Sequence, residues 1–520
     1  MRARSRIRIL LWTVLVLLLA GGVGITVLLT VPAPLERWLQ GRILLALRQH
    51  YQADVQLQNL HVKLIPAFSA TADNFVLPHR GSPGLPPLIT VKHITAGAAL
   101  PQLLRSPIHL SWLKLDGLVI QVGGNRKGQR ASAAAPLSKP EHRMRLANFV
   151  IDKVEADGTE LYVLRKDPSR EPLQWELRKL SLRSAGTGQP MTFTAELTNP
   201  TPPGLIETKG RFGPWDFDEP SGTKVVGHYS FQHADLSVFN GIAGILSSTG
   251  DYQGVLHNIA VDGTTDTPDF ELDSGGEAVH LTTQFHAIVD GTNGNTYLQP
   301  VKAHFRSTDI VTNGEVARSP GQKGKSIILD VDIEQGLLQD VLALAAKSEP
   351  PALTGGLALK TKLLLPPGKE RVLQKMLLHG SFNVSGARFT DEKVKNAIAA
   401  LSRRGLGKPE DTSISNVPAN FAGDFSLGRE TLRFNRLQFI VPGAMAQMKG
   451  SYGLRSEGVN FQGDVRLDAT VSHTMKGTKR WLLVPFDPIF MKHGAGTYLP
   501  VAITGTRSKP DVKLQWKKLF

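Results

Sequence analysis

The chain has 520 residues, 60 lysines and arginines against 45 acidic residues, and no cysteine. The absence of cysteine excludes disulfides, thiolate metal sites and cysteine nucleophiles. The net charge of +15 is spread along the chain rather than gathered into a nucleic-acid patch. It fits solvated strand faces or attraction to anionic lipid headgroups, and no nucleic-acid partner is expected.

Arg2, Arg4, Arg6 and Arg8 precede an uncharged apolar span from Ile9 to Val31. At ~1.5 Å per residue this span is long enough to cross a hydrocarbon core of ~30 Å. Leu10, Leu11, Trp12, Leu17, Leu18 and Leu28 are its lipid-facing candidates. The arginines place the first tail, residues 1–8, in the cytoplasm and the bulk of the chain across the membrane, although Arg37, Arg42 and Arg48 weaken the asymmetry. The rival is a cleavable signal ending at Val31-Pro32-Ala33, which Pro34 disfavours.

After the anchor (9–31), residues 34–51 have helical spacing, with Leu35, Trp38, Leu39, Ile43, Leu47 and Tyr51 on one face. A strand follows through Val55, Leu57, Leu60, Val62 and Leu64, and its phase slips at Asn59, which predicts a bulge. Region 32–122 is therefore an N-terminal helix plus the start of a sheet, with a helical turn near Leu100–Leu104. Residues 123–143, rich in Gly, Ala, Ser, Pro and basic side chains, read as a loop. The remainder divides into a central β region, 144–350, and a C-terminal β region, 351–520.

From 146 onward, period-two alternation dominates. It is cleanest where Val459, Phe461, Val465, Leu467 and Val471 share one face and Asn460, Gln462, Asp464, Arg466 and Asp468 the other. Met448 and Tyr452 fall on the same kind of apolar face in the preceding run. Runs around Phe193–Leu197, Val301–Phe305, Ile327–Ile333 and Leu357–Leu365 repeat the pattern. Three helices are predicted: Asp235–Leu246, Leu337–Lys347, and Asp391–Arg404 with Asp391 as N-cap and Gly405 just beyond it.

So few helices leave most strand faces without cover. The apolar faces must pack on each other as a sandwich or barrel, or line an open trough filled by something apolar, such as acyl chains. Val459, Phe461, Val465, Leu467, Val471, Met448 and Tyr452 are the candidate groove lining. No catalytic set is found. The histidines are dispersed, no His-Glu-x-x-His occurs, and Gly324-Lys325-Ser326 lacks the rest of a phosphate loop. Asp330, Asp332 and Glu334 share a strand face and read as its solvent side rather than as paired acids. No metal, no cofactor and no enzymatic activity are expected.

Several segments resemble the AsmA-like family of bacterial envelope proteins. They are LITVKHITAGAALPQLLRSPIHLSWLKLDGLVIQV near the front, LTNPTPPGLIETKGRFGPWDFDEP and GIAGILSSTGDYQGVL in the middle, and ARFTDEKVKNAIAALSRRGLGKPED and FIVPGAMAQMKGSYGL later. The most specific is PIFMKHGAGTYLPVAITGTRSKPDVKL at the end. The resemblance, of AsmA/TamB type and related in architecture to chorein-type bridge-like lipid transfer proteins, implies a mainly β chain: a transmembrane helix followed by a long curved antiparallel sheet with a hydrophobic groove. It further implies a single-pass inner (plasma) membrane protein with its bulk in the periplasm, working in outer-membrane biogenesis with phospholipids as partners. The alternative is a scaffold for outer-membrane proteins acting by strand addition. About 25 strands at ~4.8 Å would give a groove of ~120 Å, shorter than that of the large family members.

Overall fold

A computed structural model describes residues 41, 55–63, 67–78, 86–103, 108–123, 149–164, 173–186, 190–214, 220–272, 276–318, 324–345, 347–475, 484–491 and 496–515. The expected span at 9–31, its arginines, the 34–51 helix apart from Gly41, and the loop at 124–143 lie outside these residues. No helix among the described residues is long and apolar enough to cross a membrane. The chain is mainly β, 66% strand, in mixed sheet with few helices. It falls into two compact units, Met1–Phe231 with Tyr252–His257, and Gln232–Asp251 with Asn258–Phe520.

In the first unit, β1 (Gln56–Lys63), β2 (Phe68–Leu77) and β3 (Ile89–Ala98) form an antiparallel meander. Asn59 sits in β1 at φ 50°, between two register shifts, which is the bulge that the phase slip predicts. The helical turn is present as α1 (Leu100–Leu103). The short strands β4 (Ile108–Leu110), β5 (Trp112–Asp116) and β6 (Val119–Gly123) then run parallel to β7 (Phe149–Leu164). An all-antiparallel sheet is thus corrected to a mixed one. Parallel neighbours need a long connection, and residues 124–148 are long enough to supply it. β8 (Leu173–Gly186), β9 (Met191–Pro200) and β10 (Pro203–Phe212) continue from β7 as antiparallel hairpins, and β11 (Lys224–Asp235) follows in sequence.

The predicted helix at 235–246 is overturned. Asp235 caps only a three-residue 3-10 turn, Leu236–Val238, and β12 (Ile242–Ala243) and β13 (Ile245–Val255) follow at once. Gly241 and Gly244 adopt φ 110° and 129°, left-handed backbone that a helix cannot continue through.

In the second unit, β14 (Asn258–Leu272) to β18 (Ser326–Leu337) run antiparallel through β15 (Val279–Val289), β16 (Thr296–Phe305) and β17 (Thr308–Ala317). α2 (Leu338–Ala345) fulfils the second helix expectation. Its buried Asp340 accepts from Thr308 Oγ1 at 2.8 Å and from Ser307 N at 3.1 Å, tying the helix to the β16–β17 turn. β19 (Leu353–Leu365) and β20 (Leu377–Phe389) flank the short α3 (Val372–Lys375). Next comes α4 (Glu392–Gly405), where Asp391 Oδ1 accepts from Val394 N at 3.0 Å. Gly405 is the last helical residue rather than the one beyond, because a Cβ there would meet Gly443 O at 2.2 Å. β21 (Ala419–Gly428), β22 (Thr431–Val441), β23 (Ala444–Gly453), β24 (Gly458–Leu467), β25 (Thr497–Thr506) and β26 (Pro510–Leu514) complete the unit, with α5 (Asp487–Phe490) between the last two hairpins.

Asp391→Ala removes the N-cap acceptor while leaving the helix's buried face intact. A loss of about 1 kcal/mol is expected in urea denaturation, and Asp391→Asn should recover most of it.

Candidate functional site

Cross-strand pairing in the second unit puts the apolar side chains into rows on one face. One row runs Leu357, Val384, Phe421, Phe439, Ala446, Val465, Leu499. The next runs Leu359, Phe382, Gly423, Leu437, Met448, Gly463, Val501. A third carries Phe425, Phe434, Gly450, Phe461 and Ile503, and a fourth Leu432, Tyr452 and Val459. Six of the seven expected lining residues therefore sit together on β23 and β24: Val459, Phe461, Val465, Leu467, Met448 and Tyr452.

Val471 does not join them. β24 ends at Leu467, and the alternation that continues in sequence is not strand. The amides of Asp468 and Ala469 donate to Gly443 O and Gly405 O, at 3.0 and 2.9 Å, instead of to a sheet neighbour. Val471 then starts a 3-10 turn fixed by Ser472, whose Oγ donates to Asp487 Oδ2 at 2.8 Å. The C-terminal end of α4 diverts the chain from the sheet.

Phenylalanine and glycine alternate across the rows. Gly450 stands between Phe434 and Phe461, whose rings meet over it with centroids 5.8 Å apart. Phe382 lies against Gly423 and reaches Phe425 and Phe434, each at 6.1 Å. Phe421 contacts Phe439 at 5.0 Å and Phe389 at 6.0 Å. Strands two apart are ~9.6 Å apart, so rings can touch over the intervening strand only where it carries no side chain. Here glycine provides the gap, and the ring covers the backbone that glycine leaves bare.

Cover on this face is uneven. At one end, α4 buries Ile398 and Ala399 against Val384, Ala387, Ala419, Val441, Ala444 and Leu467, and all of these are fully buried. Away from α4, Leu432, Phe434, Leu437, Met448, Tyr452, Val459 and Phe461 are only half-buried. Facing sheets in a sandwich would bury such residues completely.

The opposite face is bound to water by paired charges. Asp332 meets Lys360 at 2.9 Å and Asp330 meets Lys362 at 3.3 Å, across the β18–β19 pair. Arg436 meets Asp424 at 3.1 Å, and His286 meets Asp262 at 2.7 Å. The Asp332 carboxylate pushes the Lys360 ammonium above its ordinary range. Asp330 and Asp332 thus have cross-strand lysines as partners, as a solvent face requires. Among the described residues, no cluster of three or more His, Asp or Glu could hold a metal.

Phe382, Phe421, Phe425, Phe434 and Phe439 escaped the sequence expectation. Their alternation is broken by bulges between Asp424 and Phe425 and between Phe434 and Leu437, which shift the apolar phase mid-strand. A search for phenylalanines spaced two or five residues apart beside glycine would have found them.

No protein-family model, curated protein or solved structure matches the chain.

A Cβ at Gly463 would lie 1.9 Å from Gln447 O, whereas one at Gly458 meets only the Ser456 hydroxyl, at 3.2 Å. Gly463→Ala should cost about 2 kcal/mol in chemical denaturation through backbone displacement, and Gly458→Ala should change stability little.

Proposed function

We propose that this protein is a membrane-anchored envelope protein of the AsmA-like type. Its apolar sheet face holds phospholipid acyl chains while headgroups stay at the charged margins. One observation carries this: a row of phenylalanines and aliphatic side chains that continues from β19 to β25, fully buried under α4 and half-buried beyond it. A sheet of this composition leaves its apolar side short of cover, and acyl chains supply the missing layer at roughly 25 cal/mol per Å² of area removed from water. The mechanism is passive. It asks for no cofactor and no catalytic residue, only a continuous apolar surface along which a chain can slide. The N-terminal span with its arginines would hold the protein in the inner membrane, with residues 32–520 in the periplasm. Outer-membrane biogenesis is the process this would serve.

Strand addition to an outer-membrane protein is the second reading. It is favoured by β26, which pairs with β25 on one side and is exposed along its whole length, Val512 being 62% exposed.

The test is mass spectrometry of lipid retained by the full chain after exhaustive detergent exchange. Wild type should retain phospholipid, and Phe461→Glu, at a half-buried site away from α4, should lose most of it with its circular dichroism unchanged. Equal retention by both would overturn the acyl-chain assignment. A lipid-free wild type crosslinked to a protein through β26 would support strand addition instead.

A further inference from the structure

The second unit carries a knot of short helices whose apolar residues point outward. The C-terminal end of α4 packs on residues 469–473: Ala469 N donates to Gly405 O at 2.9 Å, and a Cβ at Gly407 would touch His473 Cβ at 3.6 Å. Ser472 N in turn donates to Asp487 Oδ1 at 2.8 Å, fixing the start of α5. Four large apolar side chains lie at the surface of this knot: Leu406 (41% exposed), Met475 (37%), Val484 (46%) and Met491 (50%). The knot's own buried polar contacts are satisfied, so this exposure is not a by-product of a missing internal partner.

Charge identifies what the surface fits. Segments 403–411 and 471–492 together hold seven lysines and arginines against three acidic residues. Arg404 and Lys408 are exposed beside Leu406. Between Met475 and Val484 the sequence reads KGTKRWLL, three cations followed by tryptophan and two leucines. Cations next to tryptophan and aliphatic residues match the two layers of a bilayer interface, phosphates outside and acyl chains within. A protein partner of complementary shape would not need that combination.

We infer that this knot is a docking surface for an anionic lipid bilayer, one that inserts Met475, Val484 and Met491 among the acyl chains while Arg404 and Lys408 meet phosphates. The inference goes beyond lipid holding by the sheet and does not depend on it.

The chain has no cysteine, so Met491→Cys gives a single labelling site for an environment-sensitive dye. Lys362→Cys, on the charged face of β19, is the control. The full chain, freed of detergent, is mixed with vesicles of phosphatidylcholine alone or with phosphatidylglycerol. Emission at 491 should shift to the blue with the anionic vesicles, less with neutral ones, and return with added salt, while 362 stays unchanged. Met475→Glu with Val484→Glu should weaken vesicle affinity at least about tenfold. Arg404→Glu with Lys408→Glu, both exposed, should abolish the salt dependence without affecting the fold. No shift at 491, an equal shift at 362, or equal shifts on neutral and anionic vesicles would overturn the inference. Because the dye reports position 491 alone, its answer is separate from whether the sheet retains lipid.

Discussion

The structure depends on one constraint: an apolar strand face must be removed from water, and this chain has little with which to do it. Two or three turns of helix cover one end of the second unit's sheet. Elsewhere the sheet meets the constraint by its own means. Phenylalanines fold down over neighbouring glycines, so that each ring shields bare backbone and touches the next ring across a strand. This lowers the exposed apolar area without adding a layer, and it leaves a smooth, continuous surface. The same arrangement explains why the glycines in these rows are placed where a Cβ would strike the adjacent strand.

The two faces divide the work. On the water side, cross-strand aspartates with lysines, arginines and histidines fix the register, each pair contributing little singly. Slippage by one residue would move all of them onto the apolar side, so charge pairing and aromatic stacking enforce the same register from opposite faces. A surface built this way is rigid in its pairing yet unspecific along its length. Those are the properties a passive acyl-chain support needs.

Much of this was legible in the sequence. The strand runs, the bulge at Asn59, the N-cap at Asp391 and six of seven lining residues follow from period-two and period-3.6 patterns. The failures have physical causes. Alternation carried Val471 into the strand because sequence period alone cannot see that α4 captures the amides of Asp468 and Ala469. The helix expected at 235–246 ignored how strongly Gly241 and Gly244 prefer left-handed backbone. The phenylalanine ladder was hidden because bulges shift its phase. The parallel pairing of β4–β6 with β7 depends on a long connection whose course no local pattern encodes.

The central claim is that the apolar face of β19–β25 is covered by lipid acyl chains. A photoreactive residue placed at Phe461, and separately at Lys362 on the charged face, tests it in living cells. Crosslinks to phospholipid from position 461 and none from 362 are the expected result. Crosslinks from 461 only to other parts of the chain or to a protein would contradict it, because the missing layer would then be polypeptide.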